Sequence, residues 1–326
     1  MKPIKYLLAA LILAALGAAP VCAQKIKVGY WTSGFSLGFG TVLEQMKFAE
    51  QEGLQVEWVK FGEVNGPTRA IVSNAIDLAF AAPSTNSIGI AADGVPVKLV
   101  LATQIAEAQI VTLDGSPIKT PGDLKGKKIG MSPPGSATHA LTTAILERNF
   151  GIKSNEYAVA PGNEAQLAQF LTQKDIDAGV LRSVTLAQMS DVKLRRLASV
   201  VDEWKKLTKG SAPPILAVTI VYNSYLDKNR EAVAKFIAAT RNALQFGSKN
   251  KPKVAEMLEK AANMTAQDAR AYAEQWDNAY IASFEPDDVA SLKRMYEIVP
   301  ATSGVKNPAR DDSFDQGPYK RSKQIK

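Results

Sequence analysis

Residues 127–139 read KKIGMSPPGSATH, and the rest of the chain is organised around this stretch. Lys127–Met131 has the length of a short strand, with apolar Ile129 and Met131 on either side of Gly130. Pro133, Pro134 and Gly135 stop it. Ser136 or Thr138 can then cap a helix whose apolar positions follow at Ala140, Leu141, Ala144, Ile145 and Leu146. A helix start leaves backbone N–H groups unpaired at the positive end of the dipole. Small hydroxylated residues add donors there without blocking approach, so such a turn suits a small anion. An ordinary capped β–α turn uses the same residues, and what favours the anion is recurrence.

Three other strand ends carry residues of the same kind. They are Trp31-Thr32-Ser33, then Pro83-Ser84-Thr85-Asn86, then Leu181-Arg182-Ser183 after Ala178-Gly179-Val180. Between them the pattern alternates strand and helix. Lys25–Trp31 and Leu54–Phe61 alternate as strands, with a helix from about Leu37 to Glu52 between. A helix at Thr68–Asn74, a buried strand at Ile76–Phe80, a helix at Ser87–Ala92 and a strand at Val95–Leu101 follow. The succession predicts a parallel sheet with helices on both faces. Ala102–Val111 reads as an extended crossing into a second unit. There the alternation restarts: a short helix at Thr120–Leu124, the strand at Lys127, and strands at Glu156–Ala160, Ile176–Leu181 and Leu194–Val200, with Asn163 capping a helix. Pro213-Pro214 break the chain, and Ile215–Tyr222 is an apolar strand that returns to the first unit. The remainder is expected to be helical: Asn229–Phe246 after an Asp227 cap, Lys251–Ala262, Thr265–Ser283 and Pro286–Ile298. Little periodicity is visible from Ala301 to Lys326.

The start of the chain reads differently. Lys2 and Lys5, the apolar run Leu7–Leu16 and the small residues Val21-Cys22-Ala23 have the form of a cleaved signal peptide over 1–23. Modification of Cys22 would make a lipoprotein, but Pro20 and Val21 fit that signal poorly. Cys22 is the only cysteine, so cleavage at Ala23 leaves a mature chain with no disulfide, thiol nucleophile or cysteine metal ligand. No later stretch is apolar for long enough to span a bilayer. The formal charge of +7 falls to +5 without Lys2 and Lys5, and it is spread along the chain. That suits anionic small molecules, whereas the short basic end Lys320–Lys326 is no nucleic-acid patch. The sequence has no Walker loop, Gly-x-Ser-x-Gly elbow or His-Glu-x-x-His zinc site. No metal, cofactor or catalytic residue is expected.

The sequence resembles the periplasmic solute-binding proteins of ABC importers for taurine, alkanesulfonates and nitrate. The resemblance is carried by Lys25–Tyr30, by Asn74-Ala75-Ile76-Asp77-Leu78-Ala79 and by Gly94-Val95-Pro96-Val97-Lys98. It continues through Ile118–Gly130 with its Asp-Leu-Lys-Gly-Lys run, Gly151-Ile152 and Asp175-Ile176-Asp177-Ala178. It implies an α/β, two-lobe periplasmic binding protein type II fold, the second lobe inserted into the first, with a helical C-terminal part. The segments would be 24–106 and 212–326 for lobe I and 107–211 for lobe II. It implies a monomer that closes about crossing strands at Ala102–Glu107 and Thr208–Pro214 and docks on an inner-membrane permease. Positions matching the family's cleft turns are Trp31, Ser33, Ser84, Thr85, Gly135, Ser136, Thr138, His139 and Arg182. The Arg182 fork matches sulfonate, carboxylate or nitrate oxygens, and burying an arginine at a strand end without an anion is costly. Each of these residues also has a plain structural role open to it. Trp31 can belong to the core, Ser84 and Thr85 can cap a helix, and His139 can be structural. A ligand amine would need a carboxylate, for which Glu107, Asp202 and Glu203 are positional candidates. Phe35, Phe39 and Trp31 could instead line a pocket for an aromatic acid or a pyrimidine precursor. An enzyme on the same fold is the alternative from another class.

Overall fold

The computed structural model describes residues 24–32, 34–134, 136–262, 264–298 and 307–325. The signal-peptide reading of 1–23 and two site candidates, Ser33 and Gly135, lie outside the described residues.

In chain order, β1 (Gln24–Trp31) leads to α1 (Gly34–Gln45) and α2 (Phe48–Gln51), then β2 (Leu54–Phe61), α3 (Gly66–Val72), β3 (Leu78–Pro83), α4 (Ser84–Ala92) and β4 (Val97–Ile105). After three residues β5 (Gln109–Leu113) opens the second unit, with β6 (Lys128–Met131), α5 (Ala137–Phe150), β7 (Ala158–Pro161), α6 (Glu164–Gln173), β8 (Ala178–Leu181), α7 (Ser183–Gln188), β9 (Leu194–Ser199) and α8 (Val200–Thr208). The return strand β10 (Ile215–Tyr222) is followed by α9 (Asn223–Lys228), α10 (Arg230–Lys249), α11 (Lys251–Ala262), α12 (Ala266–Glu274), α13 (Trp276–Ala279), β11 (Tyr280–Ser283), α14 (Pro286–Ile298) and α15 (Gly317–Ser322). The architecture is the two-lobe periplasmic binding protein type II fold.

Each lobe has its own sheet, ordered β11-β4-β10-β3-β1-β2 in lobe I and β7-β6-β8-β5-β9 in lobe II. Neither is purely parallel, which corrects the expectation from the strand–helix alternation. β10 enters between β3 and β4 and runs antiparallel to both. β5 is antiparallel to β8 and β9. Alternation sets the direction of consecutive strands but carries no information on a strand that arrives more than a hundred residues later.

Other differences are local. The expected helix Leu37–Glu52 breaks at Lys47, which adopts the left-handed conformation at φ 54. The single helix expected over Thr265–Ser283 is α12, α13 and then an edge strand, because Tyr280–Ser283 pairs with β4. α8 was not foreseen. Asp227 lies inside α9 and caps nothing, whereas Ser136, Asn163 and Thr265 do cap their helices. Within the unpatterned C-terminal stretch, Phe314 bridges Leu99 and Tyr319 is buried in lobe I.

The apolar core follows the sheets. Ile26, Val28, Phe39, Phe80, Phe236 and Trp276 fill one face of the lobe I sheet, and Ile71, Ile88, Leu101, Ile220 and Phe284 the other. α14 serves both lobes: Leu292 and Tyr296 pack in lobe I, while Met295 and Ile298 pack in the core of lobe II with Ile129, Leu141 and Trp204. The Trp204 indole N–H donates to Ser291 Oγ at 3.1 Å. The two crossing segments are tied together, with Ala106 N–H donating to Pro214 O at 2.8 Å.

Candidate functional site

Strand direction decides which turns share a space. β4 ends at Ile105 and β5 begins at Gln109, so those two ends lie at the junction of the lobes. β10 is antiparallel to β4 and β3, so β3 runs with β4 and its carboxyl end also faces lobe II. β1 is parallel to β3. In lobe II, β8 is antiparallel to β5, so its carboxyl end faces lobe I, and β6 is parallel to β8. The turns after β1, β3, β6 and β8 therefore open onto one interlobe cleft, as ligand sites of open α/β sheets do.

Several of the hydroxyls are partly engaged. Ser84 is buried and its Oγ donates to Ile215 O at 2.7 Å, locking the β3 turn to the return strand. Thr85 is half-buried in the first turn of α4. Ser136 Oγ accepts from His139 N–H at 3.2 Å as the cap of α5, which leaves its own proton to donate elsewhere. Thr138 is buried in that turn. His139 Nδ1 lies 3.1 Å from Ser132 O. A carbonyl only accepts, so this contact puts the proton on Nδ1, and among the described residues Nε2 makes no hydrogen bond. Trp31 is half-buried, and its indole N–H donates to Gly62 O at 3.2 Å, which spends its one donor on the β2–α3 loop.

Arg182 makes one of the contacts between the lobes. It follows β8, and its guanidinium carbon stands 4.8 Å from the centroid of the Phe35 ring at the start of α1 in lobe I. Nε is 3.8 Å from Glu164 Oε1, a loose pair, and the side chain is 26% exposed. Among the described residues its Nη groups make no hydrogen bond, so the fork is available. Its backbone is held on two sides. Glu164 Oε2 accepts from Arg182 N–H at 3.1 Å and from the Thr185 hydroxyl at 2.6 Å. Glu107 accepts from both the N–H and the hydroxyl of Ser183, at 3.1 and 2.7 Å. Burial pushes the Glu107 carboxyl above its ordinary value, against the pull of the Ser183 bonds and of Arg182. Tyr280 and Tyr272, buried beneath Phe35, have phenols raised by burial and feel the Arg182 charge in the opposite sense.

Of the three aromatic candidates, Phe35 and Phe39 are 5% and 0% exposed and belong to the core, and Trp31 is half-buried. Glu203 is likewise structural, since it is buried and holds Asn149 Nδ2 at 2.9 Å and Lys206 Nζ at 2.6 Å. Glu164 was missed from the sequence. Its signal was only its place as the first residue after the Asn163 cap, where an acidic residue ordinarily serves the helix dipole.

A family model described as NMT1/THI5 like matches residues 44–255. None of the curated proteins matches the chain. Among solved structures, the periplasmic aliphatic sulphonate binding protein SsuA from Escherichia coli superposes with a TM-score of 0.72 at 18% identity, covering 89% of this chain and 91% of that one. The alkanesulfonate-binding protein SsuA from Xanthomonas axonopodis pv. citri, bound to MOPS, gives 0.65 at 16% identity, covering 91% and 99%. A point mutant of DszB in complex with biphenyl-2-sulfinic acid gives 0.65 at 13% identity, again covering 91% and 99%. These likenesses are of fold.

Proposed function

Because this chain belongs to the NMT1/THI5-like family, we propose that it is an extracytoplasmic solute receptor of an ABC importer. It binds a small organic anion in the interlobe cleft, closes about the segments near Ala106 and Pro214, and delivers its ligand to an inner-membrane permease. Its place is the periplasm, and it acts as a monomer. No helix among the described residues is long and apolar enough to cross a membrane. The observation that carries the reading is Arg182. Its guanidinium spans from lobe II to the Phe35 ring of lobe I, with unengaged Nη groups, at the same junction as the capped start of α5. An anion bridging that fork and the α5 N–H groups would draw the lobes together.

A sulfonate, an alkanesulfonate or taurine, is preferred to a carboxylate or nitrate. Two similar structures are described as sulfonate-binding, and a tetrahedral trio of oxygens suits a fork, hydroxyls and backbone donors at once. A receptor is preferred to an enzyme because the only cysteine, Cys22, falls in the stretch 1–23 read as a cleaved signal peptide and the only histidine has one ring nitrogen committed to Ser132 O.

The test is a thermal-shift screen of Gln24–Lys326 against sulfonates, taurine, nitrate, sulfate, and aromatic and aliphatic carboxylates. A ligand at a hundred times its dissociation constant stabilises by about 2.7 kcal/mol. A sulfonate hit with no turnover is the expected result. Silence across the panel from folded, ligand-free protein, or chemical conversion of a ligand, would overturn the reading.

A further inference from the structure

Two tyrosines meet beneath the first turn of α1. Tyr272 lies on α12 and Tyr280 opens β11. Their hydroxyls are 2.7 Å apart, and the Tyr280 hydroxyl donates to Phe35 O at 2.7 Å. That bond uses the one Tyr280 proton, so Tyr272 is the donor within the pair. Both rings also stand edge-on to the Phe35 ring, with centroids 5.7 and 6.0 Å away. Gly38 admits them, since a Cβ there would lie 2.5 Å from Tyr272 Cε1 and 2.6 Å from Tyr280 Oη.

More than core packing rests on this pair. The Phe35 ring also carries the Arg182 guanidinium, 4.8 Å from its centroid. A guanidinium is drawn to an aromatic face, so the place of the ring sets where the fork of lobe II stands against lobe I. Ser36, the next residue, is held separately. Its hydroxyl donates to Ala81 O at 3.3 Å and accepts from Gln104 Nε2 at 3.0 Å. These bonds keep α1 on β3 and β4 without the tyrosines, whose own hold is on Phe35. Close by, Gln188 Nε2 of α7 donates to Asp268 Oδ1 of α12 at 2.7 Å. The helix that carries Tyr272 thus also meets the helix that follows Arg182.

We propose that Tyr280 is a positioning residue for Arg182 and acts through Phe35. Its hydroxyl pins Phe35, the Phe35 ring sets the guanidinium, and the guanidinium receives the anion. Tyr272 completes the device by donating to Tyr280. Only the last step rests on the anion reading, because the others are contacts within the chain.

The test has two arms. In the first, the arginine Nε–H resonances of Gln24–Lys326 are recorded without ligand by proton–nitrogen correlation. The resonance missing from Arg182→Ala belongs to Arg182, and the Phe35 ring current displaces it from the ordinary arginine position. Tyr280→Phe, which deletes only the hydroxyl, should move it back toward that position. Tyr225→Phe should not, although Tyr225 also donates to a backbone carbonyl, Lys25 O at 2.8 Å, at the other end of β1. In the second arm, ethanesulfonate is titrated by calorimetry. Tyr280→Phe should lose at least about threefold in affinity, and Phe35→Leu, which keeps most of the bulk and removes the ring, should lose at least as much. Tyr225→Phe should lose none, and Tyr280→Phe added to Arg182→Ala should lose nothing further. An Arg182 resonance unmoved by Tyr280→Phe overturns the proposal. So does a loss of affinity that persists in the Arg182→Ala background, because the hydroxyl would then act on the fold at large. If the unaltered protein binds no ethanesulfonate, the anion reading fails for that sulfonate, and the first arm alone decides whether Tyr280 sets Arg182.

Discussion

Arg182 is held firmly by its backbone. Glu164 and Ser183 fix where the residue starts, the Phe35 ring supports the guanidinium, and among the described residues the Nη groups make no hydrogen bond. Arg182→Ala should therefore weaken the preferred anion by tenfold or more, about 1.4 kcal/mol at least, in a direct titration. Arg182→Lys should recover little of this, because an ammonium lacks the planar fork. Unchanged affinity in the alanine variant would remove Arg182 from the site. The residue type and the strand end were legible in the sequence, since an arginine after an apolar strand stands out. The Glu164 contact was not, because it joins positions eighteen apart through the fold of β8 against α6. Glu107 offers a pH test. Its carboxyl binds a proton more tightly in the folded chain than in the unfolded one, so its contribution to stability is fully present below the ordinary value of 4.5 and is lost as pH rises through the raised folded value. Glu107→Gln should flatten that descent in chemical denaturation series run from acid to neutral pH. Parallel curves for the two proteins would show that the carboxyl does not titrate as its burial implies.

At the scale of elements, α5 shows how a cap can be tested for a second role. Ser136 caps it by accepting from His139 N–H, and its hydroxyl keeps its own proton. Ser136→Ala should cost about 1 kcal/mol of stability and Ser136→Gly only a few tenths, seen as melting points lowered by a few degrees and by less. Both should weaken anion binding alike if the hydroxyl donates to ligand. Loss of stability without loss of affinity would leave Ser136 as a cap alone. Caps of this sort are readable because Ser136, Asn163 and Thr265 each stand just before a run of helical spacing. α8 had the same advertisement, Ser199 followed by Trp204 and Leu207, yet it abuts a strand without an intervening turn and is hidden by continuity. β11 could not have been read at all. Tyr280–Ser283 follows a run of good helix formers and becomes a strand only because β4 has an open edge beside it.

For the whole molecule, α14 is a third connection between lobes, made by packing where the other two are made by chain. Burying side chains of the size of Met295 and Ile298 stabilises by about 1.5–3 kcal/mol each, and here that free energy also holds lobe II against lobe I. Met295→Ala should lower stability by about 2–5 kcal/mol and enlarge the radius of gyration of the ligand-free protein in solution scattering. A destabilised protein of unchanged radius would mean that the crossing segments alone set the lobe angle. Helical spacing in Pro286–Ile298 was evident from the sequence, but spacing does not say that adjacent apolar positions serve different cores. The place of β10 between β3 and β4 has a kinetic consequence. Until residues 215–222 arrive, β4 has no route into its sheet and β3 has a neighbour on one side only, while every strand of lobe II lies within 109–199. The sheet of the inserted lobe can therefore assemble from strands close in sequence, before α14 packs on it, and the sheet of the enclosing lobe must wait for one long-range closure. Refolding should show two phases, with the slower one reporting the seating of a single strand.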